Sequence, residues 1–408
     1  MKWFSGTGLA ALLALGMTTG AVAADKQYGP GVTDKEIKIG NIMPYSGPAS
    51  AYGTMGKAEA AFFAMINDQG GINGRKINFI SRDDAYSPPK TVEVAHQLVE
   101  QDKVLLLFGA IGTPGNLAIR DYINEKMVPQ LFVVSGASQF NDPKHYPWTM
   151  GFNASYRVEG RIYARYILEN APNAKIAVLY QNDDFGKDYL TGLRAGLGDK
   201  ADKMIVATQT YQISDATVDP QIVALQGSGA NVLLTAATPK FVTQTISKVY
   251  DIGWKPTHFI VNPSAGVKAV FEPAGLEKAI GIISATYTKG SDPRWQGTPE
   301  YKEYAAWMEK YNPSENPADV FNVTSYTAAQ AMAYVLKQCG DNLTRENVMK
   351  QAANIRDLKL PMLLPGITVS TSPTDFAPIK QMQLMKFNGK TMELFGEVIS
   401  GAGEVVSE

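Results

Sequence analysis

Gly109, Gly112, Thr113, Pro114 and Gly115 fall between an unbroken apolar run over residues 104–108 and a helical pattern over 114–120. An apolar run of that length fits a strand covered on both faces. In the turn that follows, Thr113 is placed to accept a backbone N–H bond as helix N-cap. Pro114 takes the first helical position, where its missing donor costs nothing. The glycines remove side chains around the helix end, whose bare N–H groups carry roughly half a positive charge. That arrangement suits an anion. The GxxGxxG spacing differs from the GxGxxG of dinucleotide folds and no Walker lysine follows it, so the anion is a carboxylate rather than a phosphate. A turn of this kind also joins strands to helices where no ligand binds.

Other groups that could do chemistry are sparse. Asp83-Asp84 and Asp183-Asp184 pair carboxylates after strands, where solvated loop and N-cap roles are the simpler reading; acid–base work would need a raised pKa. His96, His145 and His258 are scattered without metal-ligand spacing, and no GxSxG, HExxH or CxxC motif is present. No catalytic residue, metal or cofactor is therefore expected. Tyr156 and Arg157 could reach a ligand, and Arg157 could equally make a structural salt bridge. Tyr287 and Trp295 read as packing or surface aromatics, and Phe62, Phe63 and Met65 as one apolar helix face.

The chain opens with Lys2, an apolar stretch over residues 9–17 and small residues at 21–24, the pattern of a secretory signal peptide over residues 1–24. No stretch is long enough for a membrane span of about 20 residues. Lys plus Arg number 38 and Asp plus Glu 39, well interspersed, which gives no electrostatic footprint for nucleic acid or an anionic membrane. The single cysteine, Cys339, cannot form an intrachain disulfide and reads as a helix-end packing residue. Without the leader, roughly 380 residues remain, enough for two cores.

Strand and helix patterns alternate from residue 37. Strands are expected at 37–43, 76–81, 104–108 and 130–134, with helices at 51–67, 88–100 and 114–126, which is what a parallel sheet with crossover helices produces. Ligands of such sheets sit beyond the carboxyl ends of the strands, where Gly112-Thr113 and Ser135-Gly136-Ala137-Ser138 both fall. Near residue 150 the chain leaves this unit and the alternation restarts, with strands at 175–180, 204–208, 232–236 and 258–261. Past 281–287 it turns helical over 299–311, 320–338 and 345–353. Residues 381–387 and 392–398 then flank Asn388-Gly389, a hairpin signal. The expected α/β architecture is two lobes, 36–152 with 282–358 and 153–281 with 359–408.

The run GNIMPYSGPASAYGTMGKAEAAFFAMINDQGGINGRKI, with LLFGAIGTPGNLAIRDYINEKMVPQLFVVSGAS and VLYQNDDFGKD, resembles the branched-chain amino acid family of solute-binding proteins that serve ABC importers. The ending LTRENVMKQAANIRDLKLPMLLPGI is similar to a proteobacterial branch, some of whose relatives take up aromatic carboxylates. The resemblance implies a type I periplasmic binding fold: two Rossmann-like lobes, a three-crossover hinge and one ligand clamped between them. It implies a monomer in the periplasm that hands a small carboxylate to an inner-membrane permease and its ATPase. Carried over residue by residue, Tyr52 lines the cleft and the Thr113 hydroxyl meets the carboxylate. Ser135, Gly136, Ala137 and Ser138 offer backbone groups and a hydroxyl to the same end. Phe185 is the second lobe's aromatic contact and Phe321 an apolar one near the hinge. One departure stands out: where amino-acid-binding members carry an acid for the ligand ammonium, this chain has Asn262-Pro263-Ser264. Burying an ammonium without a countercharge costs several kcal/mol, so an aromatic or branched aliphatic acid fits better than an amino acid. The alternatives are a periplasmic ligand sensor on the same fold and, lacking any nucleophile–base pair, a hydrolase.

Overall fold

The computed structural model describes residues 26–290 and 292–400, so the expected leader lies outside the described residues. Fourteen strands form three sheets among them: β1 (Gln27–Tyr28), β2 (Glu36–Met43), β3 (Lys76–Asp83), β4 (Leu106–Phe108), β5 (Gln130–Val133), β6 (Thr149–Gly151), β7 (Ile176–Gln181), β8 (Ile205–Tyr211), β9 (Val232–Ala236), β10 (Thr257–Ile260), β11 (Ile283–Thr286), β12 (Asn342–Leu343), β13 (Gln381–Phe387) and β14 (Met392–Ser400). The helices that matter below are α1 (Gly53–Asp68), α2 (Pro88–His96), α3 (Thr113–Glu125), α4 (Tyr156–Asn170) and α5 (Asp184–Leu197). Past them, the helix Pro299–Tyr311 and the long Val320–Cys339 helix pack beside α1.

The first lobe holds a parallel sheet in the order β3-β2-β4-β5-β6, and the second a sheet in the order β8-β7-β9-β10-β11-β13-β14. β13 and β14 are antiparallel, joined through Asn388-Gly389, with Gly389 at a φ of 101°. Strand order reverses between β2 and β4 in one sheet and between β7 and β9 in the other. Such reversals open a crevice at the strands' carboxyl ends. The chain passes between the lobes three times: after β6, after β11, and before β13. The second and third passages lie side by side, with Lys289 N–H donating to the Met362 carbonyl at 2.8 Å and Leu364 N–H to that of Tyr287 at 3.0 Å. β11 lies in the second sheet, so that passage comes after Thr286, beyond the 281/282 boundary expected from the sequence.

The apolar run is fully buried from Val104 to Phe108. Leu106 and Phe108 pack with Phe62 and Phe63 of α1, while Leu107 packs with Val94, Ile119 and Ile123 of α2 and α3. Each such side chain contributes about 1.5–3 kcal/mol by leaving water. That two-sided burial fixes where β4 ends and hence where the glycine turn is presented. Among the described residues no helix is long and apolar enough to cross a membrane.

Candidate functional site

The turn after β4 is built from within. Gly112 is the N-cap of α3, at φ 104° and ψ 131°, and Pro114 stands in the first turn. Fully buried Asn116 donates to the carbonyls of Ala110 (3.2 Å) and Gly112 (2.7 Å), and accepts from Gln130 at 2.7 Å. These bonds turn the carbonyls inward and leave the first N–H groups of α3, which no preceding helical carbonyl can satisfy, at the open end. Thr113 does not cap its own helix. Its Oγ1 lies 2.8 Å from Ser135 Oγ, because the loop after β5 supplies a hydroxyl partner that the helix start cannot match.

This end faces a partly open cavity between the lobes. The first lobe contributes Tyr52 and Met55 after β2, Tyr86 after β3, Ile111, Gly112 and Thr113 after β4, and Val134 after β5. Phe185 after β7, Thr238 after β9, and Asn262 and Pro263 after β10 come from the second. Asn153 and Tyr156 of the first passage and Val320, Phe321 and Thr324 close the sides. Every strand-borne contributor sits at a carboxyl end, and four loops flank the two reversals of strand order. Aromatic packing shapes the walls: Tyr52 leans on Phe321 at 5.5 Å between centroids, and Tyr156 stacks on Tyr189 at 4.7 Å and meets Phe185 edge-on at 5.2 Å.

Of the residues expected from the sequence, Tyr52, Gly112, Thr113, Tyr156, Phe185, Asn262 and Phe321 meet on this wall. Ser135, Gly136, Ala137 and Ser138 do not. Ser135 stands behind Thr113, and its Oγ accepts from Ala137 N–H at 3.2 Å; Gly136 packs against the backbone of Ala154. Ser138 crosses the cleft, its N–H and Oγ donating to buried Asp188 on α5 at 2.6 and 3.2 Å. Arg157 Nε holds the same carboxylate at 2.8 Å, the structural salt bridge rather than a ligand contact. Replacing Asp188 with Ala is expected to lower ligand affinity about tenfold, since two hydrogen bonds to a charged acceptor no longer tie the loop after β5 to α5 across the cleft. Calorimetry measures the loss, and unchanged affinity would leave the crossing without a role in binding.

Met55, Tyr86, Ile111, Val134, Asn153, Thr238, Pro263, Val320 and Thr324 also line the cavity and are not among the site residues expected from the sequence. Val320 and Thr324 were readable as helical neighbours of Phe321 at i−1 and i+3. Tyr86 follows Asp83-Asp84: Asp83 is exposed at the end of β3, as the sequence suggests, whereas Asp84 is buried, and both brace the loop. Asp83 accepts from the N–H groups of Tyr45 and Ala85, both at 2.9 Å, and buried Asp84 from Tyr86 N–H at 2.9 Å and Thr91 Oγ1 at 2.6 Å. Burial raises the Asp84 carboxyl against its Thr91 bond. The braces hold Ala85 and Tyr86 at φ 51° and 60°, a left-handed pair that costs about 1–2 kcal/mol per residue. Asp183 does cap α5, accepting from Gly186 N–H at 3.3 Å.

Among the described residues no acidic or basic side chain lines the cavity. Asn262 donates Nδ2 to the Ala285 carbonyl at 2.7 Å, and Ser264 gives its hydroxyl to that of Ala237 at 2.6 Å. The carboxylate behind them, Glu159, is spent on protein donors: Asn262 N–H (2.6 Å), Tyr163 (2.5 Å) and Tyr189 (2.6 Å). Burial pushes Glu159 up to about 7 despite those bonds. The Tyr156 phenol is pushed up to about 12 by burial, with the hydroxyls of Ser135 and Thr113 as partners. His258, buried against Thr235 at 2.9 Å, falls to about 3, and Cys339 is a buried thiol. Among the described residues no cluster of His, Cys, Asp and Glu could hold a metal.

A family described as periplasmic binding protein matches residues 36–391, nearly the whole described chain. The chain belongs to that family. This binding protein is 25% identical to Leu/Ile/Val-binding protein homolog 1 of Brucella abortus, over 84% of its own length and 85% of the relative's. Its fold matches a branched chain amino acid ABC transporter protein of Thermus thermophilus with bound valine, at TM-score 0.80 and 18% identity, covering 91% and 98% of the two chains. It also matches a fatty acid ABC transporter substrate-binding protein of Thermomonospora curvata, at TM-score 0.77 and 20% identity, covering 92% and 95%. The binding protein therefore has the type I fold, two Rossmann-like lobes with three passages between them. Its family is one of extracytoplasmic substrate-binding proteins rather than of enzymes.

Proposed function

We propose that this protein is the solute-binding component of an ABC importer, directed to the periplasm by residues 1–24. As a monomer, it captures a small carboxylate that lacks an ammonium group and delivers it to an inner-membrane permease and its ATPase. The supporting observation is the charge-free wall: an interlobe cavity bordered by three tyrosines, with the start of α3 as its positive pole and no acid among its lining residues. A buried anion gains from the N–H groups and dipole there. A buried ammonium would meet only neutral oxygen atoms and lose several kcal/mol of hydration, enough to remove micromolar affinity. An aromatic or branched aliphatic acid satisfies both conditions, placing its carboxylate on Gly112 and Thr113 and its apolar body against Tyr52, Tyr156, Phe185 and Phe321.

The test is a thermal-shift screen of aromatic and aliphatic acids against leucine and valine. Binding to the native state raises the melting temperature by mass action, by about 2.7 kcal/mol of stability at a hundredfold excess over Kd. The acids are expected to give the larger shifts. A larger shift with leucine or valine overturns the assignment of ligand class.

A further inference from the structure

Tyr86 stands apart from the rest of the cavity wall. Among the described residues the other wall hydroxyls and side-chain amides have protein partners: Thr113 with Ser135, Thr238 with Tyr211, Asn153 with Tyr287, Asn262 with Ala285, Tyr52 with Ser264, Tyr156 with Ser135 and Thr324 with Tyr287. The Tyr86 phenol has none, although the residue is only 7% exposed and lines the cavity. Its place is fixed by Gly112. A Cβ at that glycine would stand 2.6 Å from Tyr86 Cε2 and 3.1 Å from Cζ, so the hydroxyl-bearing edge of the ring packs against the N-cap of α3. The backbone is held for this placement by the Asp83 and Asp84 braces, which keep Ala85 and Tyr86 left-handed.

We infer that Tyr86 is a specificity-determining residue whose hydroxyl donates a hydrogen bond to the ligand's carboxylate where that group rests on the start of α3. This rests on the carboxylate reading above and adds to it a side-chain donor from the loop after β3. A buried phenol facing an anion loses water that nothing in the protein replaces, so the bond forms only when a ligand arrives. Burial also keeps the phenol protonated, its titration lying well above the ordinary tyrosine value. A ligand ending in an uncharged apolar group would leave the oxygen unsatisfied, which makes Tyr86 a filter as well as a grip.

The test uses the full mature chain, wild type and Tyr86→Phe, titrated calorimetrically with benzoate, 4-methylpentanoate and leucine. The phenylalanine keeps the ring over Gly112 and removes only the oxygen. The expected result is an affinity at least tenfold lower for whichever probe binds the wild type, with the melting temperature of the ligand-free protein unchanged or slightly raised. Affinities within twofold overturn the proposal. A fall of several degrees in the ligand-free melting temperature also overturns it, by showing that the hydroxyl serves the fold. If leucine alone binds, the reading of an ammonium-free ligand fails while Tyr86 is tested on leucine's carboxylate. If no probe binds the wild type, the carboxylate site falls and Tyr86 with it.

Discussion

Gly112→Ala is expected to abolish measurable ligand binding and to cost about 2–4 kcal/mol of stability, read from urea unfolding and calorimetry. Two separate penalties add. The backbone at φ 104° lies where an L side chain is rarely found. The new methyl would also press on Cε2 of Tyr86 at 2.6 Å, a ring carried by a loop that Asp83 and Asp84 brace. Relief of either penalty displaces the first turn of α3 from the cavity. The double variant Gly112→Ala with Tyr86→Ala separates the two: it removes the collision, so partial recovery of stability measures the contact and the remainder measures the backbone. Wild-type binding by the single variant would show that the turn does not present N–H groups to a ligand.

Gly136→Ala is the second large effect, about 2–4 kcal/mol in unfolding free energy together with weakened binding. A Cβ there would lie 2.1 Å from the Ala154 carbonyl oxygen and 2.8 Å from Tyr156 Cδ1. Neither neighbour yields easily. Ala154 belongs to the first passage between lobes, and Tyr156 N–H is bonded to the Gly136 carbonyl at 2.9 Å. The loop after β5 must therefore move away from that passage, taking Tyr156 off its stack with Tyr189. An alanine variant as stable as the wild type would show that the passage can shift freely at this point.

These two glycines mark what could and could not be read from the chain. Runs such as 104–108 and the Asn388-Gly389 hairpin announce themselves locally, because two-sided burial and positive-φ turns depend on few neighbours. The position of the turn after β4 was legible for the same reason. The use of each side chain there was not. Whether Thr113 caps its helix or reaches Ser135 depends on a loop twenty-two residues later, and whether Ser138 grips a ligand or the opposite lobe depends on Asp188, fifty residues on. Asp84 reads as a solvated loop acid until Thr91 and Tyr86 are seen around it. Glu159 gives no sign in sequence that it organises Asn262 from behind. Residues 283–286 precede a helical segment that belongs to the first lobe, and only pairing with the distant hairpin strand at 381–387 places them in the second sheet.

The reversals of strand order have an evolutionary corollary. Because the lining residues stand beyond the strand ends, on loops or in helix turns that begin there, while a strand such as β4 is packed by other side chains, the two sets can drift separately. Exchanging Asn262 for an acid asks nothing of β4 or α1. A lineage built on this frame can change its diet by a handful of substitutions and keep its folding intact.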